Sequence, residues 1–347
     1  MGPNKIKVER ALVCGLGSIG ERHLGLLRQR LPKAQIMVLR HRHHDGGPIP
    51  NADLCVSSLD EALAFKPQVA IVASPATVHA QQAIALIKTG AHVLVEKPMA
   101  TNSIDAHAMA DAAYSSGALL RVGYNLRYLE SLNVFRNALH SGHIGRVASI
   151  RAEVGQYLPD WRPGRDWRSS VSARADLGGG ALLELSHEID YLLWIFGNVS
   201  EVRGWLGQQG ELGLDVEDTV HAIIHFEEST PIHPQGLPPV ASLTLDFIRR
   251  DTVRRCTAVG EKGTIIWDGI ESKVLLVPSD KKTKVLHENQ AVRNSSYISQ
   301  IDSFINEVEA GVTLTKRDTA GTAVLEVIEA VRKSHSAHGS AAKPIKP

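Results

Sequence analysis

Residues 11 to 30 read ALVCGLGSIGERHLGLLRQR. A short apolar run enters a glycine-rich turn, and a stretch with helically spaced leucines leaves it. An apolar run without alternation belongs to a strand covered on both faces. The pattern G-x-G-x-x-G, met directly between such a strand and a helix, is the turn that dinucleotide-binding folds use. Gly15 suits the tight turn, Gly17 lets backbone N–H groups approach a pyrophosphate, and Gly20 permits close packing of helix on strand. A dinucleotide is therefore expected at Gly15, Gly17, Ser18, Ile19 and Gly20.

The same grammar repeats to residue 125. Further strands are predicted at 35–40, 53–58, 69–74, 92–96 and 118–123, with helical stretches at 18–30, 59–65, 76–89 and 102–116. This βαβ alternation predicts an α/β class and a doubly wound parallel sheet. Polar residues fall where the strands end: Arg40, Ser74-Pro75, Glu96-Lys97 and Tyr124-Asn125. Ligands of open α/β sheets lie at the carboxyl ends of the strands, so these clusters are expected to share one rim. An NAD enzyme usually has an acid at the end of the second strand for the ribose hydroxyls. Here that strand ends in VLRHRHH, and Arg40 and Arg42 suit a 2′-phosphate, which favours NADP(H) and leaves NAD(H) possible. His41, His43 and His44 lack the spacing of a metal site, and no metal is expected.

Strand 92–96 runs without warning into Glu96, Lys97 and Pro98. Proline restricts the residue before it, so the Lys97 ammonium is tightly placed. A surface ion pair would be worth little. On a rim that carries a dinucleotide turn, Lys97 is instead a candidate to hydrogen-bond a hydroxyl being oxidised or a carbonyl being reduced.

The pattern changes after residue 126, where a second domain is expected to run to 335, followed by a disordered tail at 336–347. Its elements are a helix at 128–140, a strand near 146–156, alternating strands between 200 and 278 and helices at 297–310 and 318–334, which predict a mostly antiparallel sheet. The loop 158–180 carries Trp161, Trp167, Arg162, Arg165, Arg168 and Arg174, and reads as a lid in which Trp167 and Arg168 meet substrate. One helix is expected over GGGALLELSHEIDYLLWIFG, with Glu184, His187, Asp190 or Tyr191, and Trp194 on neighbouring turns. Ionisable groups on an apolar helix are costly unless paired or open to a cleft. His187 suits proton shuttling, and the triple glycine allows a ligand or backbone to come close.

Composition narrows the partners. At 347 residues the chain is long for one core. Lys plus Arg total 38 against 37 Asp plus Glu, a formal charge of +1, which leaves no field for nucleic acid. Cys14, Cys55 and Cys256 are odd in number and widely spaced, and read as reduced core residues of a cytoplasmic protein. No window approaches the roughly 20 apolar residues of a membrane span, so no membrane partner is expected.

In combination these residues resemble the Gfo/Idh/MocA family, the glucose-fructose oxidoreductase and inositol dehydrogenase type of NAD(P)-dependent oxidoreductase. The matching stretches are GLGSIGERH, ASPATVHAQQAIALIKTGAHVLVEKPMA, VGYNLRY, GHIGRV, GGGALLELSHEID and the late FINEVEAGVTLTKRDTAGTAVLEVIEA. The resemblance implies a Rossmann domain and an α/β domain whose open sheet forms homodimer or homotetramer interfaces. It implies that Lys97 is the catalytic lysine and that His187 exchanges a proton with the substrate hydroxyl beside the same nicotinamide. It places Ser74, Pro75, His79, Glu96 and Asn125 along the cofactor, and Tyr124 and Arg127 near nicotinamide or substrate. The family often has Asp four residues before the histidine, where this chain has Leu183, so Glu184 or Asp190 becomes the candidate to orient His187. The implied activity is hydride transfer between NADP(H) and a secondary carbinol of a sugar, cyclitol or nucleotide-linked sugar. The rivals are a nucleotide-sensing regulator, which need not keep Lys97 and His187, and a reductase of a non-sugar such as a linear tetrapyrrole.

Overall fold

The computed structural model describes residues 6–40, 47–161, 163–164, 166–228, 232, 237–280, 282–289, 292, 294–314 and 317–345. The chain forms two compact units: Met1–Asn125 with Ser296–Thr322, and Leu126–Ser295 with Ala323–Pro347.

The first unit begins with β1 (Arg10–Cys14), α1 (Ser18–Arg30), β2 (Gln35–Leu39), β3 (Leu54–Val56), α2 (Leu59–Ala64) and β4 (Val69–Val72). It continues through α3 (His79–Lys88), β5 (His92–Val95), α4 (Ser103–Ser116) and β6 (Leu120–Val122). The strands pair in the order β3-β2-β1-β4-β5-β6, and every neighbouring pair is parallel. The helices have local causes. Glu21 opens α1 and Arg28 and Arg30 close it, each complementing the helix dipole. Ser58 and Glu61 form a capping box on α2. Asn102 caps α4 through the Asp105 N–H, and Gly117, at φ +71°, ends it.

Register decides where the loops emerge. Cys14 pairs with Leu39 and with Val72, Val72 with Val95, and Val95 with Val122. The residues that follow, Gly15, Arg40, Ala73-Ser74, Glu96-Lys97 and Gly123, therefore leave the sheet along one edge.

The second unit begins with α5 (Glu130–His140), β7 (Val147–Gly155), α6 (Ala181–Glu184), α7 (His187–Phe196), β8 (Val199–Gly207) and β9 (Thr219–Phe226). Then come β10 (Val240–Asp246), β11 (Val253–Gly260), β12 (Gly263–Asp268), β13 (Lys273–Pro278) and β14 (Lys284–Glu288). These strands form one sheet, β14-β13-β12-β11-β7-β10-β9-β8. Only β7 and β10 pair in parallel; the other neighbours are antiparallel. Trp267 of β12 is wholly buried, and its indole N–H donates to Ser131 Oγ of α5 at 3.0 Å.

The last two helices are α8 (Ser295–Glu309) and α9 (Ala320–Ser336). The expected second domain ran unbroken to 335, but α8 from Ser296 onward belongs with the first unit. Ile301, Phe304, Ile305 and Val308 share its core with Val13, Leu24 and Leu27. Arg121 reaches Glu307 at 2.6 Å and Asp318 at 3.0 Å, and Arg30 reaches Glu309 at 2.7 Å. From Ala323 the chain lies with the second unit, where Gly204 of β8 leaves room for Val331 and donates its N–H to Ser334 Oγ at 2.9 Å. The tail expected to be disordered is ordered as far as 345. Ala342 exchanges two backbone hydrogen bonds with Val202 of the edge strand β8, at 2.8 and 2.9 Å, which pairs edge groups that would otherwise face water. Cys14 and Cys256 are buried thiols, but Cys55, expected in a core, is exposed on the short strand β3. Among the described residues no helix is long and apolar enough to cross a membrane.

Candidate active site

The glycine turn after β1 has the shape the motif requires. Gly15 sits at φ +88°, and a Cβ there would lie 2.7 Å from the Ala73 carbonyl. A Cβ on Gly20 would collide with the Gly15 carbonyl. At Gly17, by contrast, a Cβ would meet nothing within 4 Å, so the backbone at the head of α1 borders open space. This is the space a pyrophosphate needs, and the helix N-terminus supplies N–H donors to it. The turn fits a dinucleotide. Arg40 directly follows β2; Arg42, with His41, His43 and His44, lies outside the described residues.

Serine, proline and histidine after β4 act mainly on the loops themselves. Ser74 Oγ donates to Gln82 Oε1 at 2.6 Å. His79, only 1% exposed, places Nε2 2.7 Å from the Ser74 carbonyl and Nδ1 3.1 Å from the Pro98 carbonyl. Burial lowers its pKa; the ring, which in its neutral form has one N–H, donates to one of these carbonyls and lies against the other, between the Ser74-Pro75 loop and the Glu96-Lys97-Pro98 loop.

Glu96 is buried at the tip of β5 (6% exposed), with Oε1 2.6 Å from His23 Nε2 of α1. Its other oxygen accepts the Lys97 N–H at 3.1 Å. Burial alone would raise this carboxyl; the His23 hydrogen bond and charge and the Lys97 charge more than offset that, and its pKa is lowered. Gly123 has no side chain because a Cβ would lie 2.9–3.0 Å from this carboxyl group. The Tyr297 ring from α8 stands edge-on to His23 at 5.9 Å. Glu96 thus bridges the glycine-turn helix and the backbone of half-buried Lys97. The sequence named Glu96 but not its partner, and the only available signal was an unexplained histidine on the buried face of α1.

The expected single helix around His187 is broken. α6 ends at Glu184, and α7 starts at His187, so the spacing from Glu184 to His187 is no longer helical, while His187 and Asp190 stay together on α7. Glu184 accepts from Ser172 Oγ at 2.9 Å. Asp190, wholly buried, takes a two-pronged bond from Arg127, at 2.9 and 2.7 Å. The carboxylate beside His187 is its neighbour Glu188, also wholly buried, 3.2 Å from Nε2. Arg254 of β11 donates from Nε to Glu188 Oε1 at 2.9 Å and from its terminal nitrogen to His187 Nε2 at 2.5 Å. Burial would raise the Glu188 carboxyl; Arg254, then His187, offset this and hold it below the usual value. The glycines before α6 admit protein, not ligand: a Cβ on Gly179 would strike the Val171 carbonyl, and one on Gly180 the Glu217 carboxylate.

Tyr124 is 2% exposed, and Asn125 donates to Ser296 Oγ at 2.9 Å. In the Trp- and Arg-rich loop, Arg162 and Arg165 lie outside the described residues. The rest winds through short 3₁₀ turns, with the Arg168 guanidinium 4.3 Å from the centre of the Trp167 ring.

Two matches to one family cover most of this architecture. The oxidoreductase family with an NAD-binding Rossmann fold matches residues 9–124, and the Gfo/Idh/MocA C-terminal domain matches residues 133–266. The 1,5-anhydro-D-fructose reductase of Ensifer adhaerens is 32% identical over 151 residues, covering 43% of this chain and 44% of that one. Levoglucosan dehydrogenase of Pseudarthrobacter phenanthrenivorans is 30% identical over 182 residues, 45% of each chain. The chain thus spans less than half the length of these curated relatives. A levoglucosan dehydrogenase solved with NADH superposes with a TM-score of 0.80 at 20% identity, over 97% of this chain and 99% of that one. The WlbA dehydrogenase of Bordetella pertussis, solved with NADH and UDP-GlcNAcA, gives 0.77 at 22% identity, over 98% and 100%.

Proposed function

Since this chain belongs to the Gfo/Idh/MocA oxidoreductases, we propose that it is an NAD(P)-dependent dehydrogenase or reductase. Its substrate is a secondary hydroxyl, or the matching ketone, on a sugar, cyclitol or nucleotide-linked sugar. The observation that carries this reading is the open backbone at Gly17, on the same sheet edge as the Glu96-Lys97 loop. A bound nicotinamide supplies the hydride chemistry. Gly15 to Gly20 bind and orient the pyrophosphate. Lys97 donates a hydrogen bond to the substrate oxygen, and His187 accepts its proton in oxidation or returns it in reduction. Trp167 and Arg168 meet the sugar. Arg40 favours NADP(H) over NAD(H), because guanidinium binds a 2′-phosphate and an acid would repel it. The family likeness also favours a homo-oligomer.

The test is a thermal-shift comparison of NAD⁺ and NADP⁺, followed by a sugar, cyclitol and nucleotide-sugar panel read at the nicotinamide absorbance. A larger shift with NADP⁺ and turnover of at least one polyol are expected. Equal or greater stabilisation by NAD⁺ overturns the role of Arg40, and no shift with either nucleotide overturns the reading.

A further inference from the structure

We propose that His23 is a positioning residue for Lys97: it holds the Glu96 carboxylate, the carboxylate holds the Lys97 backbone N–H, and α1 thereby aims the lysine. The inference rests on the role proposed for Lys97 above, and all of its parts lie within the first unit.

His23 stands among apolar residues. Leu24, Leu26 and Leu27 of α1 are buried, and the His23 side chain is wholly buried with them. A polar ring in such a place is costly unless it is hydrogen-bonded. Nε2 makes that bond, to Glu96 Oε1 at 2.6 Å, whereas buried Nδ1 has no hydrogen-bond partner among the described residues. An ionised carboxylate can only accept, so Nε2 carries a proton and donates it. The polar edge of the ring therefore serves Glu96 alone. Tyr297 of α8 stands edge-on to the ring at 5.9 Å, and the Arg22 guanidinium lies 4.7 Å from the centre of the Tyr297 ring, so the ring is walled in as well as bonded.

Glu96 divides its two oxygens. Oε1 faces His23, and Oε2 turns back to accept the N–H of the next residue, Lys97, at 3.1 Å. That bond sets the peptide plane between residues 96 and 97, and with it the direction in which the Lys97 side chain leaves the backbone. The flanks of Lys97 are held too. The Glu96 N–H donates to the Val72 carbonyl at 2.8 Å, His79 Nδ1 lies 3.1 Å from the Pro98 carbonyl, and a Cβ on Gly321 would strike Met99 Sδ. Glu96 Oε2 is the hold on Lys97 itself, and it stays in place only while His23 keeps the other oxygen. The helix whose head borders the open backbone at Gly17 thus also places the lysine.

The experiment compares His23→Leu, His23→Gln and His23→Asn in the full chain. The Gln amide nitrogen takes the place of Nε2, whereas the shorter Asn reaches only the place of Nδ1. With a substrate found by the panel, His23→Leu and His23→Asn are expected to lower kcat about 10-fold to 10²-fold, the effect of a small misplacement of a reacting group, with substrate KM and cofactor Kd unchanged. His23→Gln is expected to restore most of the loss. A ¹H–¹⁵N spectrum of protein labelled at lysine, with Lys97→Arg assigning the signal, reads the same coupling without turnover. The Lys97 amide proton is expected downfield, bonded to a carboxylate, in the wild type and in His23→Gln, and to move upfield in the other two. His23→Leu with Glu96→Leu removes the stranded charge, keeps the test open if the single variant fails to fold, and is expected to show the same low kcat. Wild-type turnover in that double variant, equal losses in the Gln and Asn variants, or a Lys97 amide indifferent to His23 overturns the proposal. Absence of turnover on every sugar would count against the function and leave the amide signal to decide whether His23 sets the Lys97 backbone.

Discussion

His23→Leu places an apolar side chain of similar size where His23 bonds Glu96. The wild-type pair is closed to solvent, with side-chain exposures of 0% and 7% and a 2.6 Å contact. After the substitution, Oε1 loses that partner, and the Lys97 N–H at 3.1 Å still serves only Oε2. Removing one member of a buried pair costs about 3–5 kcal/mol, and protonation of Glu96 can relieve part of it at about 1.4 kcal/mol per pKa unit. A loss of about 3 kcal/mol at pH 7 is expected. The pH dependence follows from the direction of the shift. In the wild type the Glu96 pKa lies below its ordinary 4.5, so its ionisation contributes stability that is full above 4.5 and is lost as pH falls through the lower folded value. In the variant burial dominates and the folded value rises above 4.5, so the carboxylate costs stability at neutral pH, and that cost fades as pH falls toward 4.5. The gap between the two proteins is therefore widest at pH 7 and narrows on acidification. Urea unfolding followed by far-UV circular dichroism measures it, because all five tryptophans lie in the second unit. His23→Leu combined with Glu96→Leu, which removes the stranded charge, should recover at least half of the loss. A cost below about 1 kcal/mol at pH 7, or one that does not change with pH, would refute the reasoning.

Gly17→Ala meets open space and keeps an ordinary φ of −83°, so it should cost less than about 0.5 kcal/mol and yet weaken cofactor binding about 10-fold or more by blocking the pyrophosphate; calorimetric titration separates the two effects. Lys97→Met should lower kcat by about 10²–10⁴-fold with cofactor Kd within twofold in fluorescence titration, and wild-type turnover would remove Lys97 from the chemistry. Asp190→Ala strips the buried partner from Arg127 and should cost about 3 kcal/mol in urea unfolding; full stability with a lost kcat would instead return Asp190 to the catalytic role first expected of it.

The readability of this protein depends on how far apart partners lie in the chain. The parallel sheet, its glycine turn and the rim of polar residues were legible because each strand run is apolar throughout and ends in its own punctuation; β1 and β5 carry that signal within a few residues. The helix break before His187 was hidden because Leu185 and Ser186 continue a plausible helical pattern, and the close approach of the Val171 and Glu217 regions to Gly179 and Gly180 comes from distant chain. β14 was missed because its five residues, KVLHE, show too little apolar character.

Pattern and punctuation, which act between near neighbours, were enough to determine the fold class and to single out Lys97 and His187. What stands behind those residues was decided only by tertiary structure: His23 lies 73 positions from Glu96, and Arg254 lies 66 from Glu188 and 67 from His187. A buried charge needs a counter-charge but not one at any fixed spacing. Its partner is whichever residue the folded backbone brings within hydrogen-bonding distance, and no local pattern in the sequence records that choice.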